Sequence, residues 1–382
     1  MNFGFSDEQE MLRESAKKFL EAHCPPTFVR EMIEHETGHS TDLWRKLAEL
    51  GWLGLLLPEK LGGMGGSMLD ATVILEEMGK VLLPGPFFAT VLLGGVAVSA
   101  GGSPAQQRDL LPRMAQGSLV LTLAFLEASG RFDAAGIQLE AKRKGKGGDF
   151  VLKGEKLFVL DAGVADTIVV AARTTPNQRK PERGLTLFLV ERGAPGLTID
   201  PLRTIDMTRR QAQLSFDRVV VSADQVLGSV DRGWPPLARA IETGTASICV
   251  ETVGVAQRAL ELSVRYAKDR TQFGKPIGSF QAVKHKCVDM MLAVENARSL
   301  GYYAAWALSA KNREAPQALA MAKAYASDAG KNVTAEAIQV HGGIGFTWEH
   351  DIHLYYRRAL ANEAAFGSAP LHREAVAQRL SL

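Results

Sequence analysis

Apolar and polar positions follow three rhythms along this chain. From about residue 5 to 117 the spacing is helical. Met11, Leu12, Phe19 and Leu20 share one face of a segment that Ser6 or Asp7 is placed to cap. That segment runs to His23, and Pro25-Pro26 stops it. A second helix is expected near residues 42–50, with Asp42 as its cap. A Gly-rich turn, Gly62-Gly-Met-Gly-Gly66, precedes a third near 68–78. From about 118 to 228 the runs become short and β-rich: Phe150-Val-Leu-Lys, Leu157-Phe-Val-Leu, Thr167-Ile-Val-Val-Ala-Ala, Leu185-Thr-Leu-Phe-Leu-Val190, Leu214-Ser-Phe and Val219-Val-Val. Gly, Asp and Pro clusters bound them, which predicts an antiparallel sheet domain or barrel. Residues 228–236 read as a hinge. Beyond it long helical repeats return, with loops at 273–279, 312–316 and 342–349, and predict a four-helix bundle. The expected fold is α+β and multidomain: an all-α N-terminal domain over 1–117, a β-sheet middle domain over 118–230 and a C-terminal helical bundle over 231–382.

Composition narrows the functional classes. The chain has 382 residues, room for two or three domains at roughly 100–200 residues each. Lys plus Arg is 44 and Asp plus Glu is 42, a balance with no electrostatic footprint for nucleic acid. The one basic cluster, Lys142-Arg143-Lys144-Gly-Lys146, reads as a solvated turn between two strands. The longest uncharged run, between Lys80 and Arg108, is broken by Pro84, Pro86, Gly94, Gly95 and Pro104. A membrane span needs ~20 uninterrupted apolar residues, so no membrane segment is expected. The acidic, immediately helical start has no signal-peptide pattern. Cys24, Cys249 and Cys287 are few and far apart. They fit structural thiols in a reducing cytoplasm, where this protein is expected to reside, better than disulfides.

Several motifs dissolve on inspection. His35-Glu-Thr-Gly-His39 matches a zinc-protease spacing, but Gly38 and the flanking hydroxyl residues predict a loop rather than one helical face. His350 and His353 sit at helical spacing without a third ligand, so no metal is expected. Asn332-Val-Thr334 is a glycosylation triplet in mid-helix. There is no phosphate-cradling glycine loop after a strand and no serine-nucleophile elbow.

Two segments near the end carry more. Arg270-Thr-Gln-Phe-Gly-Lys-Pro-Ile-Gly-Ser-Phe-Gln281 joins two helices, and Gln339-Val-His-Gly-Gly-Ile-Gly-Phe346 ends a helix in a glycine turn. Such a turn exposes backbone amides, and a neighbouring arginine can clamp a pyrophosphate. With Leu57-Pro-Glu-Lys-Leu-Gly-Gly63, Gly254-Val-Ala-Gln-Arg-Ala-Leu260 and the stretch from Tyr356 to Arg373, they resemble the acyl-CoA dehydrogenase family over essentially the whole chain. The resemblance implies FAD as cofactor, an acyl-CoA substrate, electron-transfer flavoprotein as acceptor and a tetrameric assembly. It implies that Arg270, Phe273, Gln281, Gln339, Gly342 and Gly343 meet the adenine–pyrophosphate half of an FAD held mainly by a neighbouring subunit.

The departures from the family cluster on chemistry. The family places its proton-abstracting glutamate directly before a Gly-Thr pair; here the pair is Gly367-Ser368 and the residue before it is Phe366. Other members carry that glutamate on the first bundle helix, where this chain has Gly244, followed by Thr245. Glu242 and Glu251 share that helix at two and seven residues' distance. Two residues turn roughly 200° around the axis, and seven return to the same face nearly two turns along. The family's flavin-contacting Trp-Ile-Thr corresponds to Phe158-Val159-Leu160, and its Thr-Glu-Pro start to Leu126-Glu-Ala-Ser-Gly-Arg-Phe-Asp133. Residues expected to serve this chain's own flavin are altered, whereas those expected to reach a neighbour's are retained. That asymmetry resembles the base-lacking subunit of bacterial α2β2 acyl-CoA dehydrogenases acting on steroid side-chain and other bulky thioesters, as does Leu82-Leu-Pro-Gly-Pro-Phe-Phe88. The expected function is a subunit for α,β-dehydrogenation of a CoA thioester. The alternatives are a homo-oligomeric flavin-dependent reductase or oxygenase on this fold and a non-catalytic scaffold for a flavoprotein partner.

Overall fold

The computed structural model describes residues 5–145, 148–176 and 179–382. Helix α1 (Asp7–His23) starts where Ser6 and Gln9 cap each other's backbone reciprocally, with acidic residues in its first turn toward the positive end of the helix dipole. Pro25-Pro26 ends α1 but also begins α2 (Pro26–Glu34), because a proline at the first helical position lacks only an N–H that has no partner there. Ser40, not Asp42, caps α3 (Thr41–Glu49). Then come α4 (Met68–Lys80), a π-helical turn (Phe88–Gly94), α5 (Gly95–Gly101) and α6 (Pro104–Ala115).

The middle region holds β1 (Leu121–Ala124), β2 (Glu140–Lys144), β3 (Asp149–Leu160), β4 (Thr167–Arg173), β5 (Leu185–Glu191), β6 (Leu197–Pro201), β7 (Gln211–Val221) and β8 (Val226–Leu227). They form one sheet in the order β6-β7-β3-β2-β4-β5-β8, with β1 beside β4. Most pairs are antiparallel, but β1 and β2 each meet β4 in parallel. Two pairs of expected short runs merge into single strands, β3 and β7, interrupted by register shifts. Lys142, Arg143 and Lys144 lie on β2 rather than in the turn after it, and Lys146 falls outside the described residues. β4 and β5 are buried almost throughout, which gives their unbroken apolar runs.

The bundle consists of α7 (Trp234–Asp269), α8 (Gln281–Ser309), α9 (Ala315–His341), α10 (Ile352–Ala364) and the short α11 (Ala369–Arg379). A hairpin of β9 (Thr271–Gln272) and β10 (Lys275–Pro276) joins α7 to α8. Helices α4 and α7 touch backbone to backbone. A Cβ on Gly254 would lie 2.0 Å from the Glu76 carbonyl, and one on Gly79 would lie 2.3 Å from that of Glu251. Only paired glycines admit that approach, and it locks the N-terminal helices onto the bundle. One apolar core runs through all three regions.

Candidate active site

A cavity of about 490 Å³ opens where the sheet, the π-helical segment and α10 meet. Its walls are hydrocarbon: Leu123, Phe125, Phe132, Leu160 and Phe366 among them. A cleft of about 530 Å³ beside α1 is larger, but charges that line it are already paired, Lys80 with Glu77 and Arg258 with Glu261. Volume therefore does not select the site; the convergence of positions singled out by sequence does.

Phe366 is buried, and Phe88, Phe125 and Phe132 surround it with ring centroids 6.1, 6.4 and 6.5 Å away. Its backbone is left-handed, φ +57°, a costly conformation for a phenyl-bearing residue. Two side chains hold the turn. Nε2 of His372 lies 2.9 Å from the Phe366 carbonyl, placing the ring proton on that nitrogen. Lys323, buried on α9, donates to the carbonyls of Asn362 and Glu363 at 3.0 and 2.9 Å and so caps the end of α10. Burial lowers the Lys323 pKa.

Gly244 lies against the same ring. A Cβ there would meet Phe366 Cζ at 2.7 Å and Leu93 Cδ2 at 2.7 Å. The two positions, 122 residues apart in the chain, are one place in space: the ring fills it from the end of α10, and the glycine on α7 makes room for the ring. Neither supplies a proton acceptor. The other acids of α7 do not replace it. Glu251 is buried and held by Arg209, whose Nη2 reaches both carboxylate oxygens at 2.7 Å, and by Arg358. Burial alone would raise its pKa, but the two guanidinium groups outweigh that and leave it below the ordinary value. Glu242 is partly exposed near Arg239.

Arg358 is completely buried and also binds Asp206 and the Thr208 hydroxyl. This network ties the 202–210 loop of the middle region to α7 and α10. Asp161, just past Leu160, is buried behind it with one carboxylate oxygen unpartnered. Burial pushes its carboxyl up to about 7 against the pull of Arg209 and Arg358. On the opposite side, the fully buried Lys156 donates to the Phe125 carbonyl at 3.1 Å and to Glu127 at 2.6 Å. Glu127 also accepts the backbone N–H groups of Gln138 and Leu139. That pair fixes the segment carrying Phe125 and Phe132, and burial brings Lys156 down to about 8.

The six residues expected to meet an adenine–pyrophosphate half lie elsewhere and are all exposed. Arg270 follows α7 with no ion pair among the described residues, and Phe273, at the hairpin tip, is 91% exposed with φ +53°. Gln281 opens α8, while Gln339, Gly342 and Gly343 lie at the end of α9. The two segments are neighbours: Tyr266, one turn before Arg270, stacks on His341 at 4.6 Å. Gly342 takes φ +65°, ψ −140°, a conformation open to glycine alone, and nothing lies within 4 Å of where its Cβ or that of Gly343 would stand.

The residues divide on whether they fit an FAD. The hairpin and glycine turn offer an unpaired guanidinium, a free ring face and open backbone, which suits a planar base with a pyrophosphate arriving from outside. The cavity presents Phe158, half exposed, and Leu160, which has no hydroxyl to give a flavin edge. It suits an apolar body. Among the described residues no cluster of His, Cys, Asp or Glu could hold a metal ion, and no helix is long and apolar enough to cross a membrane. The histidines at 35 and 39 flank a loop, and all three cysteines are unpaired thiols.

Sequence reasoning missed Phe88, Phe132, Lys156, Arg203 and Arg358 as parts of this site. A charge at the center of a β-run was the one available signal, and it marked Lys156.

Family models for the acyl-CoA dehydrogenase N-terminal, middle and C-terminal domains match residues 6–118, 122–219 and 231–381. The chain is 34% identical over 363 residues to acyl-CoA dehydrogenase IpdE2 of Mycolicibacterium smegmatis, covering 95% of each. Its structure resembles butyryl-CoA dehydrogenase from Megasphaera elsdenii, with TM-score 0.91, 29% identity and full coverage of both chains. It also resembles a chain of the ChsE4-ChsE5 complex from Mycobacterium tuberculosis, with TM-score 0.88, 29% identity and coverage of 100% and 99%.

Proposed function

This chain belongs to the acyl-CoA dehydrogenase family, FAD-dependent oxidoreductases, and we propose that it serves there as a subunit without a base of its own that completes a partner's FAD site. The observation that carries this reading is the contact between Phe366 and Gly244. Both positions from which the family draws its glutamate meet at one point, and hydrocarbon fills it.

Dehydrogenation of a CoA thioester between Cα and Cβ needs a carboxylate to take the Cα proton. FAD, when bound, supplies the oxidant that accepts the hydride from Cβ. This chain's part is structural and electrostatic. Arg270 would pair with the pyrophosphate, the Phe273 ring would cover the adenine, and Gly342 and Gly343 would let the backbone amides approach. Gln281 and Gln339 would supply polar contacts beside them. The base comes from the partner chain, a second acyl-CoA dehydrogenase-like subunit in an α2β2 assembly. The substrate is a bulky acyl thioester such as one bearing a steroid side chain, and electron-transfer flavoprotein is the acceptor. The exposed apolar residues Phe273, Val288, Met291, Leu292 and Phe346 on the hairpin, α8 and the glycine turn support a subunit contact there.

Flavin counting tests this reading. The chain purified alone should carry no stoichiometric FAD, and the co-expressed complex should carry about one FAD per heterodimer. Arg270→Ala in the complex should lower FAD content. A homotetramer with one FAD per chain would replace this reading with a self-sufficient flavoenzyme, and unchanged FAD content in the variant would remove Arg270 from the site.

A further inference from the structure

Three arginines stand near the Phe366 cavity with at least one guanidinium nitrogen engaged, although Nε of Arg210 is buried without a partner. Arg358 and Arg209 are spent on Asp206 and Glu251, and Arg210 donates to the carbonyls of Ile33 and His35. Arg203 differs. It is an exposed residue among those that line the cavity, and its side chain makes no hydrogen bond or ion pair with any described residue. Nor does it sit on a loose strap. The Leu202 N–H donates to the Gln211 carbonyl at 2.9 Å, the Thr204 hydroxyl donates to the Asp206 carbonyl at 3.0 Å, and Asp206 and Thr208 are gripped by buried Arg358. The loop backbone is therefore fixed where it carries an exposed, unpaired arginine at the edge of a largely hydrocarbon cavity. Among the described residues no Asp or Glu lines that cavity to repel an anion, and the side chain of Gln211, another lining residue, has no partner there.

We infer that this cavity binds an apolar ligand bearing one terminal carboxylate, with Arg203 as the counter-charge and the phenyl cluster as the wall for the hydrocarbon body. The inference rests on the reading above insofar as this chain's own cavity is released from redox chemistry. A volume of about 490 Å³ accommodates a long-chain or ring-bearing acid, within the usual range for small-molecule sites. A carboxylate on a partly solvated arginine adds a charge-assisted, bidentate contact that a neutral ester cannot make.

The test is fluorescence titration of the co-purified complex with cis-parinaric acid, which brightens on entering an apolar site, and with its methyl ester. The acid should bind about tenfold more tightly than the ester. Arg203→Ala should bring the acid to the ester's affinity without changing the ester, and Arg203→Lys should keep part of the preference. Ile205→Trp, on the same loop and lining the cavity, should weaken both probes. Equal binding of acid and ester, an acid affinity unmoved by Arg203→Ala, or no response to Ile205→Trp would each overturn the proposal. Hexadecanedioyl-CoA and free hexadecanedioic acid then compete in separate arms. Displacement by the thioester assigns the carboxylate to the far end of an acyl-CoA, and displacement by the free acid alone assigns it to an unesterified ligand. The FAD count decides the subunit reading separately. If every chain carries FAD while the preference for acid survives, the Arg203 assignment stands and the subunit reading falls.

Discussion

Around Phe366 four phenyl rings gather, each of the other three with its centroid within 6.5 Å of that of Phe366, whereas at the hairpin a single ring, Phe273, stands 91% exposed. The first ring sits where the resemblance to the family led one to expect a carboxylate, and Gly244 has no side chain to collide with it. The second occupies the hairpin tip, where its one ring contact among the described residues is the edge of Phe280 at 6.1 Å. A buried ring contributes to this chain's own stability, while an exposed ring on a fixed turn contributes only when another molecule covers it. One region is turned inward into core, and the other stands outward.

The sharpest way to break that contrast is to cut the network supporting the inward region. Arg358→Ala leaves Asp206 buried without its guanidinium and Glu251 with Arg209 alone, and should cost about 3–5 kcal/mol, seen as a large drop in melting midpoint. Next in size is Phe366→Glu, which puts a carboxylate among phenyl rings. Burial would raise its pKa above the unfolded value, so the loss of stability should be small at pH 5 and grow toward pH 8 in parallel melts.

Asp161→Asn should act in the opposite sense. The folded carboxyl titrates at about 7, above its ordinary value of 3.8. The folded state therefore holds an extra proton between those values, and its favourable contribution is full below about pH 4 and lost as pH rises through 7. Asparagine removes the charge at every pH, so the variant should gain about 2–4 kcal/mol over wild type at pH 8 and almost nothing at pH 4. Equal effects at both pH values would contradict the buried-carboxyl assignment. The smallest effect belongs to the outward region. Phe273→Ala should leave the melting midpoint of the chain within the span of an ordinary surface change, about 0.5 kcal/mol, while lowering FAD retention in the complex.

Much of the fold was legible because it depends on neighbours in sequence. Of the two expected caps, Ser6 and Asp7, Ser6 is the one that caps α1, and the Gly38 loop keeps His35 and His39 off one helical face. Where local signals failed, a second local solution or a distant partner had won. Pro25-Pro26 stops one helix and starts another, and Ser40 takes the cap expected of Asp42 because it lies just outside the first turn. The parallel pairing of β1 with β4 had no local trace, since strand direction is settled by the path between strands. For the candidate site, Phe366 and Gly244 could be named from their positions in the chain, but Phe88, Phe132 and Arg203 could not.

The sequence by itself determined which functional groups are present: a ring and a glycine where carboxylates are expected, an arginine and paired glycines where a pyrophosphate is expected, and the order of helical and β-rich regions. Only the tertiary structure decided that Phe366 and Gly244 are a single place, that Glu251 is consumed by Arg209 and Arg358, and that Arg203 stands at the cavity with no side-chain partner among the described residues. The chemistry of a side chain belongs to the residue, whereas its neighbours, its partners and its access to a ligand arise from packing between segments far apart in the chain, from 42 residues for Arg209 and Glu251 to 107 for Arg358 and Glu251.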